Sequence, residues 1–421
     1  MPTLAPSRYR READLTALRL GRAVLGYLAV IVAIITLAPF RFDPAPAHGW
    51  STIWTWSDLV LNVLMFAPFG FVYQLTRPRG TPIDWWRLGQ LGAGASTVIE
   101  VIQLFAPDRF TSLFDIATNT AGVVFGATAF AVVAQRVRGE TAVHNLALEL
   151  PLMGLVYLLV PLCWLIGFGS DGELRRLLVL GPGLMAGAIL GTVHAAYVRP
   201  APPAWWLPAT SIGWALVAFL PGARGDWSLI VPGAAVVLAV ATWRDISTQR
   251  AMRPTNATSA AGVNRRFELP TLRIVLPLFA AYLALSAAWP VTVDQLEWRG
   301  TLALMAPGTL PTNSTVFRAL EQVAAFTLVG YMGAEYRGRD TGTPRSALLP
   351  VIGWSMIASA LLQGIRGFQS EAAASVSLWM LTQIAATFGY VLYLLQREHV
   401  QALVRRRTLL HSFRRAHGDA S

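Results

Sequence analysis

The sequence predicts an all-α bundle of membrane-spanning helices, a polytopic transmembrane protein with about twelve spans in three groups of four. Three observations carry this. Hydrophobic residues make up 54% of the 421 residues and charged residues only 14%, against about 25% charged in a soluble domain. A water-facing surface of ordinary size cannot be built from so few. The mean hydropathy is +0.48. The apolar residues also fall into runs of about 18–24 residues, the length a helix needs to cross roughly 30 Å of hydrocarbon.

The spans follow in order. Arg8, Arg10, Arg11 and Arg19 precede an apolar run from Arg22 to Phe40, longer than the roughly 7–15 residues of a signal-peptide core. It reads as an uncleaved first span, 21–40, after an N-terminal segment 1–20. Runs 58–75, 88–106 and 112–134 complete a first module, 21–135. Polar residues 135–147 lead to 148–168, 174–197, 204–222 and 226–243, a middle module 148–243 whose last two spans are parted only by Gly-Ala-Arg-Gly. A linker rich in Arg, Thr, Asn, Ser and Pro, 244–270, precedes 272–291, 316–336, 346–366 and 372–395, a third module 271–396. The basic tail 397–421 (Arg405, Arg406, Arg407, Arg414, Arg415) reads as an anchor at anionic lipid.

Net charge is +11, and all 34 basic residues are arginine. Of these, 26 fall in the N-terminal segment and the loops on its side of the membrane, 7 in the opposite loops, and Arg318 at the edge of a span. The positive-inside rule then places both termini in the cytoplasm. Trp50, Trp54 and Trp56 cluster at the outer interface, Trp85 and Trp86 at the inner one. The arginines are dispersed among short loops rather than gathered on one surface, which argues against nucleic acid as a partner and for membrane lipids. The lone cysteine, Cys163, sits in an apolar run as a small buried residue. No Cys/His spacing suits a metal, and neither metal nor cofactor is expected. His194 reads as a core histidine. Arg175 and Arg176, beside Asp171 and Glu173, read as a solvated face at an outer helix start.

The third module resembles a decayed copy of the first. Phe66/Phe326, Gly70/Gly330 and Gln103/Gln363 are each 260 residues apart, Pro39 corresponds to Pro290, and Tyr27-Leu-Ala to Tyr282-Leu-Ala. On that register Asp58 becomes Arg318, Asn62 Gln322, Glu100 Ala360, Asp115 Ser375 and Asn119 Trp379, so the polar set is lost. Glu321 beside Arg318 reads as a structural pair.

The first module concentrates polar residues inside apolar helices, where each ionisable group costs about 2.5–3.5 kcal/mol at mid-membrane. Asp58 and Asn62 share one face of the second span by their i, i+4 spacing. Ser96, Glu100 and Gln103 form a stripe on the third, and Asp115 and Asn119 an i, i+4 pair on the fourth, with Asp108 and Arg109 in the loop between. At about 1.5 Å per residue, Asp58, Asn62, Glu100, Gln103, Asp115 and Asn119 fall in roughly the outer third of the bilayer. Arg109 is placed to neutralise Asp115 or Glu100, or to contact a lipid phosphate. The stripe Gly122-Val-Val-Phe-Gly126 lets helices approach closely, while Pro68 before Gly70 offers a local opening of the second span.

Asp58-x3-Asn62 with Phe66-Ala-Pro68-Phe-Gly70, Ile99-Glu100-Val-Ile-Gln103, and Arg109-Phe-Thr-Ser112-Leu-Phe-Asp115-Ile-Ala-Thr-Asn119-Thr-Ala-Gly122 resemble the VanZ-like family of bacterial membrane proteins, over residues 20–135 clearly and 272–395 weakly. The founding member is associated with low-level resistance to the lipoglycopeptide teicoplanin, and the family has no firmly assigned reaction. The resemblance therefore implies a fold and a place in the cell envelope more than a chemistry.

Three functions are compatible with the residues. An outward-facing polar cavity built from Asp58, Asn62, Glu100, Gln103, Arg109, Asp115 and Asn119 would recognise a lipid-linked or lipoglycopeptide-type ligand. An intramembrane enzyme would use Glu100 or Asp115 as general acid or base, but no nucleophile motif accompanies them. A proton-coupled transporter would use the acids as a path. The balance favours binding over catalysis.

Overall fold

A computed structural model of the chain describes residues 4–47, 49–51, 55–77, 81–136, 151–170, 173–197, 204–224, 226–252, 268–290, 297–304, 312–338, 347–369 and 373–418. Twelve long helices occupy most of them: α1 (Leu4–Leu37), α2 (Trp56–Thr76), α3 (Trp85–Gln103), α4 (Leu113–Arg136), α5 (Pro151–Phe168), α6 (Leu180–Tyr197), α7 (Trp206–Ala223), α8 (Trp227–Met252), α9 (Glu268–Ala288), α10 (Asn313–Gly338), α11 (Leu348–Arg366) and α12 (Val376–Gly418). Every predicted span lies on one of them. Ten are long and apolar enough to cross a membrane. The other two, α3 and α10, carry the polar residues discussed below. The chain is a multi-pass α-helical membrane protein. Trp50, Trp56, Trp85 and Trp86 are exposed, as a belt requires; Trp54 lies outside the described residues.

The helices alternate in direction between two ends. At one, the loop after α1 returns as strand β1 (Trp50–Ser51) beside β2 (Thr111–Ser112), just before α4. In the third module β3 (Gly300–Thr301) pairs in parallel with β4 (Ala374–Ser375), just before α12. This is the β-bridge end; the described parts of both termini lie at the opposite, terminal end.

The most extensive packing pairs α2 with α4, α6 with α8, and α10 with α12. Glycine makes all three of these pairs close; a methyl group added at Gly191 of α6 would overlap the Ala241 carbonyl of α8. A methyl group added at Gly126 would overlap the Ala67 carbonyl, and one at Gly70 the Val123 carbonyl. The same holds for Gly389 against Thr327 and Gly330 against Ala386. The small-residue stripe thus seats α4 directly on α2, and α2 runs as one helix through Pro68.

The middle module supplies the core. α5 is buried over most of its length and packs against α6, α7, α10 and α12. Trp164 Nε1 donates to the Val217 carbonyl (2.8 Å) and Trp214 Nε1 to that of Val156 (3.1 Å), pinning α5 to α7 from both sides. The two least distinct spans are separate helices, and the chain turns between them at Arg224, whose φ of 52° is left-handed. Cys163 is buried, and His194 Nδ1 lies 2.9 Å from Asp245 Oδ1.

α1 and α12 exceed their predicted spans at the terminal end, where they run beside each other. Thr16 Oγ1 lies 2.9 Å from His399 Nδ1, and Arg405 lies 3.7 Å from Glu12. α8 likewise continues into the predicted linker as far as Met252.

Two sequence readings are corrected here. Arg175 is not a solvated interfacial residue: its side chain is 5% exposed and its Nη2 lies 2.7 Å from Glu321 Oε2. Glu321 accepts a further bond from Tyr282 Oη (2.8 Å), so its structural pairing reaches Arg175 and α9. Helix periodicity cannot reveal a partner so distant in sequence. Arg176 keeps a half-exposed contact with Asp226 at 3.6 Å.

Candidate functional site

The polar residues of the first module meet where α2, α3 and α4 converge below the β-bridge. Asn62 Nδ2 donates to Asp115 Oδ1 (2.9 Å) and lies 3.4 Å from Thr118 Oγ1. Asn119 Nδ2 donates to Ser96 Oγ (2.9 Å), tying α4 to α3. Glu100, only 2% exposed, accepts the backbone N–H of Ser112 on Oε2 (2.8 Å). Thr111 Oγ1 also reaches the Glu100 carbonyl (3.4 Å). Ser112 and Thr111 form β2, so Glu100 anchors the β-bridge from beneath. Glu100 and Asp115 are close enough for their charges to interact, as are Asp115 and Asp58. The buried Asn119 Oδ1 accepts no hydrogen bond from the described residues.

Three predicted residues are used differently. Asp58 is exposed and forms a capping box with Thr55: Thr55 Oγ1 donates to Asp58 Oδ2 (2.7 Å) and Asp58 N to Thr55 Oγ1 (3.2 Å). That satisfies the helix start and leaves Asp58 on the rim. Gln103 turns away to α1, donating from Nε2 to the Thr36 carbonyl (2.9 Å). Arg109 does not neutralise either acid. Its guanidinium donates to the carbonyls of Ala38 (Nε, 3.0 Å) and Ile35 (Nη2, 3.0 Å), closing the C-terminal end of α1 where unpaired carbonyls and the helix dipole favour a cation. Burial draws its pKa down, with Arg224 adding to the effect and Asp108 opposing it.

The two acids therefore stand without a cation in hydrogen-bond contact among the described residues, Asp115 held by the Asn62 amide and Glu100 by the Ser112 backbone N–H. Thr118 and the backbone of Ser112 were not among the predicted site residues. Thr118 is three residues beyond Asp115, a spacing that could have flagged it; Ser112 acts through its backbone, which leaves no residue-type signal.

The third module repeats this joint in neutral form, and hydrogen bonds fix the register. Gln363 Oε1 accepts the backbone N–H of Ser375 (3.0 Å), as Glu100 accepts that of Ser112. Ser359 Oγ lies 2.7 Å from Thr382 Oγ1, as Ser96 meets Asn119. Both place α11 and α12 at an offset of 263 residues from α3 and α4. The glycine contacts keep α10 at 260 from α2. The ungapped alignment of Gln103 with Gln363 is thereby corrected. Gln363 is the counterpart of Glu100, Ser375 of Ser112, Thr382 of Asn119, Leu378 of Asp115, and Arg366 of Gln103. Gln322 retains the place of Asn62 and accepts from Gln363 Nε2 (3.1 Å). Pro39 and Pro290 both follow cis peptide bonds at the ends of α1 and α9.

A small apolar cleft lined by Leu20, Val24, Val72, Tyr157 and Leu392 opens at the terminal end and contains none of these residues. Among the described residues no group of His, Cys, Asp and Glu side chains is arranged to hold a metal ion.

Residues 5–135 match the model of the VanZ/LLP1 family, so the N-terminal module is VanZ-like. No curated protein and no solved structure matches the chain.

Proposed function

We propose, taking a membrane protein with a VanZ-like first module as the premise, that the acidic joint of Glu100 and Asp115 is a ligand-recognition site at the outer face of a bacterial plasma membrane. It recognises a lipid-linked or lipoglycopeptide-type molecule in glycopeptide tolerance or cell-envelope maintenance. One observation supports this above the others. In the third module the Glu100 position is Gln363, which accepts the same backbone N–H, and the Asp115 position is Leu378. The helix joint therefore forms without acids. Negative charge kept in low-dielectric surroundings, where it is costly and unnecessary for the joint, serves something outside the protein.

Amides and hydroxyls around the acids suit a ligand rich in amines, N–H groups and hydroxyls, the polar part of an amino-sugar or peptide headgroup. Asn62 holds the Asp115 carboxylate, Asn119 and Ser96 tie α4 to α3 beside it, Asp58 lies at the rim, and Gln103 and Arg109 fasten the joint to α1. The arginine distribution supports the orientation, with both termini cytoplasmic and the β-bridge end outside.

The experiment is a growth assay in a glycopeptide-susceptible Gram-positive host producing the chain. Wild-type protein raises the teicoplanin concentration that stops growth; Glu100→Gln with Asp115→Asn removes the effect at equal membrane abundance. Full protection by the double variant would refute the proposal.

A further inference from the structure

We propose that the group recognised at the acidic joint is an unsubstituted primary ammonium. The inference rests on the joint being a recognition site and narrows what it recognises. Hydrogen bonds bring its members together. Glu100 of α3 receives Ser112 N on Oε2 (2.8 Å), and Asp115 follows in the first turn of α4. Ser96, one turn before Glu100, lies 3.5 Å from the Asp115 carbonyl and accepts Asn119 Nδ2 at 2.9 Å. The Asn119 carboxamide therefore lies between the α3 face of Glu100 and the α4 face of Asp115.

The donors of the joint are engaged within it. Asn62 Nδ2 donates to Asp115 Oδ1 and Asn119 Nδ2 to Ser96. The hydroxyls of Ser96, Thr111 and Thr118 reach backbone carbonyls at 3.5, 3.4 and 2.9 Å. Acceptors are left over among the described residues. The Glu100 carboxylate is bonded through Oε2 alone and that of Asp115 through Oδ1 alone. Asn119 is 4% exposed, and its Oδ1 accepts nothing, a state in which few buried carbonyl oxygens are left. The third module shows that the packing does not require this. Gln363 receives Ser375 N on Oε1 and donates to Gln322, Thr382 Oγ1 meets Ser359 and donates to the Trp379 carbonyl, and Leu378 has no polar side-chain atom.

A primary ammonium brings three N–H donors, no acceptor and a positive charge. It matches the leftover oxygens of Glu100, Asp115 and Asn119 in number and the two carboxylates in sign. A hydroxyl or an N-acylated amine brings no charge, and a quaternary ammonium has no N–H to give. Exposed Asp58 and half-buried Asn62 and Asp115 mark the approach from the rim.

The experiment uses full-length protein, purified in detergent and stripped of lipid. Dihexanoyl phosphatidylethanolamine, its N-acetylated form and the phosphatidylcholine of equal chain length are titrated by thermophoresis, with free ethanolamine as competitor. The ethanolamine lipid should bind at least about tenfold more tightly than the other two. Asn119→Thr, which copies Thr382 and keeps a hydroxyl beside Ser96, should weaken it about tenfold without moving the melting temperature. Both outcomes of the competition support the site: ethanolamine that displaces the lipid identifies one open to soluble amines, and ethanolamine that does not identifies a lipid headgroup site. Equal binding of the three lipids overturns the inference, as does wild-type protein that binds neither the ethanolamine lipid nor ethanolamine. Selectivity on the wild type needs no variant, so the inference stays testable should Asn119→Thr disturb folding. A wild type that protects cells from teicoplanin yet shows no preference for the ammonium removes this inference and leaves the recognition reading in place.

Discussion

The first and third modules share a joint but not its charge. In both, an α-helix glycine lies against the carbonyl of its neighbour, a hydroxyl meets a polar partner 23 residues on, and a side-chain oxygen receives a strand N–H 12 residues away. The oxygen belongs to a carboxylate in the first module and a carboxamide in the third. Geometry is therefore the structural requirement, and charge is an addition to it. The third module places its ions one helix face away, in the Arg175–Glu321 pair that ties it to the middle module.

Perturbing that pair should produce the largest effect. Arg175→Met leaves Glu321 buried with its main partner gone, at a cost of about 3–5 kcal/mol. Thermal unfolding in detergent should report a large drop, and Arg175→Met with Glu321→Leu should recover most of it. An unchanged melting temperature in the single variant would show that the modules are held by other contacts.

Next come the glycines. Gly126→Val and Gly389→Val should each destabilise by about 1–3 kcal/mol, because each forces two helices apart. Equal effects are expected from the two. A tolerated Gly389→Val beside a ruined Gly126→Val would break the equivalence of the modules.

Exchanging the key oxygen should cost less. Glu100→Gln keeps the bond to Ser112 N and is expected to shift stability by under about 1 kcal/mol, while ligand recognition is lost. The reciprocal Gln363→Glu places a carboxylate beside the Gln322 carbonyl oxygen and should destabilise by about 1–3 kcal/mol. Melting curves of both variants decide this; a severe loss from Glu100→Gln would return the acid to a structural role.

The smallest effect belongs to the rim. Asp58→Asn should weaken the cap of α2 by under about 1 kcal/mol and leave glycopeptide protection largely in place. Protection lost as completely as with Glu100→Gln would make Asp58 a direct ligand.

The fold was largely legible because twelve apolar runs of membrane length admit few alternatives, and arginine placement orders them. The ends of α1 and α12 were missed because hydropathy falls at the membrane edge while helix propensity does not: Ala, Leu and Arg continue both helices into water. The joint was legible as a set of polar residues at helical spacing. Partner choice was not. Gln103 and Arg109 turn to carbonyls of α1, and carbonyls are present at every residue, so no sequence pattern announces them. The three-residue slip in the repeat arose the same way. A shared glutamine suggested an ungapped register, whereas 29 residues separate Gly330 from Ser359 against 26 from Gly70 to Ser96, shared between a longer α10 and the connection after it, and the side-chain bonds reveal it.

The adjacency of α1 and α12 has a consequence for biosynthesis. α1 has its long-range neighbour in α12, through Thr16 with His399 and the stacked rings of Tyr27 and Phe388. Roughly 340 residues separate the end of α1 from the start of α12 in the chain, so during translation that flank of α1 faces lipid or an insertion chaperone until the third module has been delivered. A chain halted after α11 would leave that flank uncovered.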